Sequence, residues 1–260
     1  MRKISWNRNK PVNYISVDNW FQHFTKLLER NDDLSNDPAH TADNWNENVN
    51  DNDDYDSLNR PISVEEIIVA LRKLKKRKAA GPDGIIGELL RNACKSNLVM
   101  DFIVKFFNSL FVKGVYPESW AESIILPLYK KGDANNPSNY RGISLCNVCS
   151  KLYSGVVNRR LQEWVEENNI TGEFQAGFKR NYSTIDHMFT LMAFIQKQFS
   201  LNRKLYVAFI DFEKAFDSIN RSILWPILLK NGIHGKLYKC IMSMYGCVKA
   251  SVRCGAALTE

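Results

Sequence analysis

Apolar residues recur at helical spacing along much of the chain. Trp20, Phe21, Phe24, Leu27 and Leu28 share one stripe, which predicts a short amphipathic helix over residues 17–30. Ser63-Val64-Glu65-Glu66 has the form of a capping box, in which a serine hydroxyl and a glutamate carboxylate each accept the other residue's backbone amide. Ile67, Ile68, Leu71 and Leu74 then mark the inner face of the helix it starts. A second helix is expected over 97–113, with Phe102, Ile103, Phe106, Phe107, Leu110 and Phe111 inside and Gly114 as its stop. Two more fit 148–168, through Leu152, Val156, Leu161, Trp164 and Val165, and 183–200, through Ile185, Met188, Phe189, Met192, Ile195 and Phe199. Shorter helices fit 221–231, where Pro226 can introduce a kink, and 235–245.

The pattern changes at Leu205-Tyr206-Val207-Ala208-Phe209-Ile210-Asp211. An unbroken apolar run of strand length that ends in an acid is expected of a strand buried on both faces. Ile124–Leu128 is a shorter apolar run leading into Lys130-Lys131-Gly132-Asp133, and Cys247–Cys254 could form a further strand. Helix predominates with a few strands, an α+β pattern. From Asn31 to Arg60 the chain is mostly Asp, Asn and small polar residues without apolar periodicity, so it reads as a disordered acidic linker. The expected organisation is an amphipathic segment at 1–30, the linker at 31–60 and an ordered body at 61–260.

Composition narrows the class. The 260 residues are 45% hydrophobic and 24% charged, ordinary for a globular protein. No stretch approaches the ~18 uncharged apolar residues of a membrane span, and Met1–Arg8 lacks the apolar core of a signal peptide. The expectation is a soluble intracellular protein, cytoplasmic or nuclear, whose six cysteines are reduced thiols. Its net charge of +7 is unevenly placed. Residues 1–60 hold seven Lys and Arg against eleven Asp and Glu, whereas 61–260 hold twenty-eight against seventeen. A basic body suits a polyanionic partner such as nucleic acid, and surplus lysine for solubility is an equal alternative. Six cations lie from Arg72 to Lys78 at the end of the helix that the Ser63 capping box starts, more than the helix dipole calls for. A phosphate-facing patch at Lys75, Lys76, Arg77 and Lys78 is the preferred reading, with a plain solvated face as the alternative.

Asp211-Phe212-Glu213-Lys214-Ala215-Phe216-Asp217 is the chemical focus. A carboxylate at the end of a buried strand sits on a rigid element beside solvent, a position that suits Mg²⁺ with its hard oxygen ligands. Taken alone, such an Asp more often caps the turn that follows.

Its surroundings change that balance. Lys78-Ala79-Ala80-Gly81-Pro82-Asp83-Gly84-Ile85, Ile125–Asp133 and Asn139-Tyr140-Arg141-Gly142-Ile143-Ser144-Leu145 precede it in order. Lys151-Leu152, then Gln175-Ala176-Gly177-Phe178-Lys179-Arg180 with Ser183-Thr184, come between these and the Asp211 box. Together, over residues 61–260, they resemble the reverse transcriptases of non-LTR, LINE-type retrotransposons. The resemblance implies the fingers and opening palm of a right-hand polymerase, acting on an RNA template, a DNA primer and dNTPs with two Mg²⁺ ions. It implies that Asp211 ligates both metals, with the Phe212 carbonyl helping to hold the nucleotide-side ion. Phe216 falls at the aromatic gate that crowds a ribose 2′-OH. Arg141 and Lys130 fall where the incoming triphosphate is contacted, and Gln175, Gly177 and Phe178 where the template is lined. Asp217 would form the turn without binding metal.

The family's Tyr/Phe-Ala-Asp-Asp hairpin does not occur in residues 1–260, and Asp32-Asp33 and Asp53-Asp54 lie in the polar leader. The expectation is a truncated domain, inactive alone, with a non-catalytic nucleic-acid-binding relic as the alternative. A protein-interaction role has little support beyond the aromatics of 97–113. Cys146-Asn147-Val148-Cys149 is a lone CxxC without a second pair, so zinc is not expected. Cys240, Cys247 and Cys254 read as buried small hydrophobes, and His187 as structural.

Overall fold

The computed structural model describes residues 14–28 and 57–259, apart from 213, 214, 217, 218, 247 and 256. The acidic stretch up to residue 56, Asp217 and Cys247 therefore lie outside the described residues. The fold is mixed, with nine helices and a four-stranded sheet among those residues. It divides into two compact units, one built from the chain up to Leu161 with Ile219 onward, the other from Gln162–Ser218.

In the first unit the helices begin and end where local chemistry dictates. The amphipathic helix α1 spans Val17–Leu28 and buries Trp20 and Phe24. Helix α2, Val64–Lys73, starts at the expected capping box, with the Ser63 side chain accepting from Glu66 N and the Glu66 carboxylate accepting from Ser63 N. It stops at Lys73, so Lys75–Lys78 are not helical. The reason is that Leu74 is extended and Arg91, on the short helix α3 (Gly87–Ala93), donates to the carbonyls of Leu71 and Leu74. Those carbonyls are satisfied without a further turn. Helix α4, Asn97–Lys113, ends on left-handed Gly114 as expected. A one-turn helix α5 covers Glu118–Ala121, and α6 covers Val148–Glu167, passing into the second unit at Gln162.

The core of this unit gathers Leu58, Ile62, Ile67, Leu71, Phe107, Phe111, Leu152, Tyr153 and Val156, all buried. Tyr153 packs edge-on to Phe107, with ring centroids 5.0 Å apart. Phe102 and Phe106 were expected inside with them and are exposed. The apolar positions of α4 exceed one face, and these two stack on each other at its flank instead.

The sheet runs in the order β2-β1-β3-β4. Strand β1, Glu122–Tyr129, pairs antiparallel with β2, Tyr140–Cys146, and parallel with β3, Lys249–Cys254; β4, Ala257–Leu258, closes the edge. Helix α1 lies on one face, where Trp20, Phe24, Ile125, Tyr140 and Val252 form a second core cluster. Gly142 makes this possible, since a Cβ there would stand 2.8 Å from Phe24 Cε1 and 3.1 Å from Ile125 Cγ2.

In the second unit, α7 spans Thr184–Ser200 from the Ser183 cap, but none of its residues is buried. Ile185, Met188, Phe189, Met192 and Phe199, expected on an inner face, are exposed. Residues 205–211 form no strand, and Tyr206, Phe209 and Ile210 are exposed. A strand needs a neighbour to take its backbone amides and carbonyls, and none of the strands described pairs with this run.

Two helices complete the first unit. Helix α8 spans Arg221–Lys230 with Pro226 inside it, and α9 spans Gly235–Met244 and carries the fully buried Cys240. Cys240 Sγ lies 3.3 Å from the Tyr153 hydroxyl, and burial pushes its thiol up to about 11. Among the described residues, no helix is long and apolar enough to cross a membrane.

Candidate nucleotide and nucleic-acid site

The β1–β2 hairpin carries Lys130 and Arg141. Its register sets Leu128 opposite Arg141 and Tyr129 opposite Tyr140. Neighbours along a strand alternate in face, so Arg141 lies on the side away from buried Tyr140 and α1. Leu128, Arg141 and Ile143 are exposed on that side. Lys130 follows β1 directly, its amide donating to the Asn139 carbonyl at 2.9 Å, and its side chain is also exposed. The hairpin tip is tied by Tyr129, whose hydroxyl donates to the Gly132 carbonyl, and by Tyr140, whose hydroxyl donates to that of Ala134. One face of the hairpin is thus anchored in aromatic core while the other presents a guanidinium to solvent.

In the second unit, Gln175, Gly177 and Phe178 occupy an exposed turn. Gln175 Nε2 donates to the Gly177 carbonyl at 3.2 Å, and Phe178 has a left-handed backbone with φ 63°. Arg180 holds the turn to α6 through Glu163 and Glu166, and Lys179 Nζ stands 5.2 Å from the Tyr182 ring centroid. Asp211, Phe212 and Phe216 are all exposed. Phe178 and Phe216 meet edge to face, with centroids 5.9 Å apart and ring planes at 85°. The two aromatics singled out for template and gate are therefore neighbours. Asp211 keeps the exposure expected of it, on a segment without regular secondary structure instead of a strand end.

The basic segment Lys75–Lys78 belongs to the first unit and is exposed throughout. The Glu88 carboxylate accepts the amide of Arg77, which has a left-handed φ of 56°. That hydrogen bond first, and the nearby Arg91 and Lys76 cations, hold the Glu88 carboxyl below the usual range. Beyond the segment, Gly81 lies against the main chain at the β2–α6 junction, where a Cβ would come within 2.5 Å of the Cys146 carbonyl carbon. Asn147, buried there, accepts from Asp83 N and donates to Ser119 O.

Several of these structural residues escaped the sequence reading, Arg160 above all. It is buried on α6 and donates through Nε and Nη2 to both carboxylate oxygens of Glu66, at 2.7 and 2.8 Å. It also donates to the carbonyls of Leu58, Arg60 and Pro61, and its guanidinium lies 5.1 Å from the Phe111 ring centroid. Burial pushes the Glu66 carboxyl up, but Arg160 and the Ser63 amide outweigh it, so the group lies below the usual range. A signal was present: Arg160 falls four and eight residues after Val156 and Leu152, on the apolar stripe of its helix.

Reverse transcriptases use divalent metal ions. Among the described residues, however, no group of three or more His, Cys, Asp or Glu is arranged to hold a metal. Between Leu205 and Phe216, Asp211 is the one carboxylate among the described residues, a small donor set for two octahedral, oxygen-bound Mg²⁺ ions. Cys146 and Cys149 are free thiols.

Residues 129–257 match the family model "Reverse transcriptase (RNA-dependent DNA polymerase)". The matched span takes in every residue singled out above as a site residue except Lys75–Lys78. Over those residues the chain is similar to reverse transcriptases, and the relatives it matches are named as polymerases and Pol polyproteins of retrotransposable elements. A Drosophila melanogaster protein named "Probable RNA-directed DNA polymerase from transposon BS" is 29% identical over 161 residues, 62% of this chain and 18% of that protein. The Pol polyprotein of type-1 retrotransposable element R1 from Bradysia coprophila is 24% identical over 232 residues, 84% of this chain and 21% of its own length. That of element R2 from Popillia japonica is 27% identical over 175 residues, 67% of this chain and 23% of its own. The chain spans about a fifth of the length of these relatives.

Proposed function

We propose that residues 61–260 are the fingers and the opening part of the palm of an RNA-directed DNA polymerase, which copies an RNA template from a DNA primer with dNTPs. The observation that carries this reading is the family match over 129–257, which includes the Asp211 box, Arg141 and the Gln175–Phe178 turn. Arg141 and Lys130 bind the incoming triphosphate, a task that suits a permanently charged, planar guanidinium and a flexible ammonium. Gln175, Gly177 and Phe178 line the template. Phe216 limits the space beside the sugar, and its edge contact with Phe178 supports a shared aromatic wall. Lys75, Lys76, Arg77 and Lys78 take phosphates of the nucleic-acid backbone. Asp211 and the Phe212 carbonyl contribute to a metal centre whose remaining carboxylates are not among the described residues.

On this reading residues 1–260 bind nucleic acid but do not extend a primer by themselves. Two polypeptides test it: these 260 residues, and the same residues continued into an Ala-Asp-Asp hairpin and a thumb. Primer extension on an RNA template with Mg²⁺ and dNTPs is expected from the longer one only, and Asp211→Asn should abolish it while binding persists. Extension that survives Asp211→Asn would overturn the assignment. Binding by the longer chain without any extension would favour a non-catalytic nucleic-acid-binding role.

A further inference from the structure

The basic segment is held in shape by residues outside it. At its start, Arg91 takes the Leu71 and Leu74 carbonyls, which stops α2 before Lys75. In its middle, Glu88 accepts the Arg77 amide and fixes a left-handed residue that is not glycine. After it, Gly81 is seated on the Cys146–Asn147 backbone. A helix continued through 75–78 would rotate successive side chains by about 100° and scatter the four cations around its axis. The pinned segment keeps them within one short exposed stretch.

The sign of the charge at Glu88 is informative. A carboxylate beside Lys76 and Arg77 works against phosphate binding by simple Coulomb repulsion. Its use as a backbone acceptor works the other way, because a loop already ordered loses less conformational entropy when it binds.

We propose that Glu88 and Arg91 are positioning residues that pre-form Lys75–Lys78 as a binding site for the sugar–phosphate backbone of a nucleic acid. This rests on the assignment of the basic segment made above. The two effects of Glu88 separate cleanly by substitution. Glu88→Gln removes the charge but keeps a carbonyl oxygen for the Arg77 amide. Glu88→Ala removes both.

The test titrates the purified 260-residue chain with a fluorescein-labelled RNA–DNA duplex across a salt series, following anisotropy. Hydrogen exchange at Arg77 is read in parallel. A variant with Lys75, Lys76, Arg77 and Lys78 all changed to Gln should flatten the salt dependence, by about 0.9 in the log–log slope for each phosphate no longer neutralised. Glu88→Ala should bind on the order of threefold to tenfold more weakly, the equivalent of about one neutralised phosphate, although it raises the net charge. Its Arg77 amide should exchange faster, and Arg91→Ala should speed exchange in the segment likewise, its affinity falling in part through the cation it removes. Glu88→Gln should bind at least as tightly as the parent and keep the slow amide. Equal, tighter binding by Glu88→Ala and Glu88→Gln would overturn the proposal, because charge alone would then account for both. If the quadruple variant leaves the slope unchanged, the assignment of the segment itself fails, and the proposal with it. Should Glu88→Ala not fold, Glu88→Asp withdraws the carboxylate at constant charge and should bind more weakly; parental binding by it would refute the positioning role.

Discussion

Truncating Arg160 should be among the most damaging single changes in the first unit. Arg160→Met keeps an apolar stem beside Phe111 but removes the guanidinium that spans α6, α2 and residues 58–61. The Glu66 side chain, 7% exposed, would remain as a carboxylate with its strongest partner gone. Removing one member of a buried ion pair costs about 3–5 kcal/mol. The Leu58, Arg60 and Pro61 carbonyls also lose donors, which raises the figure only where water cannot reach them. A loss of about 4 kcal/mol is a large fraction of the 5–15 kcal/mol typical of a folded protein. In a chain of this size it corresponds to a fall of about 8–16 °C in melting temperature.

Urea unfolding followed by far-UV circular dichroism at neutral pH measures this directly. Glu66→Leu and the double variant complete a thermodynamic cycle. The double variant should be markedly more stable than the sum of the two single losses predicts, since it buries no unpaired charge. A cost below about 1 kcal/mol for Arg160→Met, or strict additivity in the cycle, would refute the view that Glu66 depends on Arg160 for its charge.

The same pair predicts a pH dependence. The Glu66 carboxyl is held below its usual value in the folded state, so its stabilisation is complete above the ordinary carboxylate range near ~4.3 and is lost as pH falls through the lower folded value. Urea midpoints measured from neutral to acid pH should fall less steeply in Glu66→Gln than in the parent, and parallel acid limbs would contradict this. At Gly142 the added methyl of Gly142→Ala meets Phe24 at 2.8 Å, and overpacking of this kind costs about 1–3 kcal/mol. Hydrogen exchange over residues 17–28 should quicken while the α4–α6 core stays protected. Phe24→Leu in the same chain should restore protection, and unchanged exchange in Gly142→Ala would show that α1 does not depend on this packing.

Helices were the readable part of this sequence because their evidence is periodic and local. The capping box at Ser63, the glycine stop at Gly114 and the stripes of α1, α4 and α6 each lie within a few turns of chain. A strand was expected within Cys247–Cys254 and β3 lies there at Lys249–Cys254, whereas β2 was not read as a strand, since Arg141–Ser144 are exposed and carry no core pattern. The run at 205–211 shows the limit from the other side. Its residues have the apolarity of a buried strand, but apolarity expresses a tendency to be covered and says nothing of which backbone will pair with it. The described residues provide no such pairing, so the run forms no strand and is largely exposed, and the apolar stripe of α7 is exposed too.

A similar asymmetry divides the site residues. Those proposed to touch a ligand were named from sequence, because their chemistry is carried by residue type at a polar or turn position: Asp211, Arg141, Gln175 and the cations at 75–78. Those that hold them were not found, because a positioning role exists only relative to a distant partner. Arg91 acts on the Leu71 and Leu74 carbonyls of the preceding helix, Asn147 accepts from Asp83 N 64 residues earlier, and Arg160 meets Glu66, 94 residues away in sequence. In the first unit this division is also spatial. Arg141, Lys130 and the basic segment are on the surface, while Arg160, Asn147, Trp20 and Phe24 are buried. Exposed residues can change without loss of the fold, whereas the buried ones bear on both fold and geometry. Substitutions at Arg160 or Gly142 should therefore alter stability first and binding only through it, and those at Lys75–Lys78 the reverse. Glu88 falls between the two classes, exposed enough to oppose a phosphate and bonded to the backbone of the segment proposed to bind one, which is why its two neutral variants are expected to diverge.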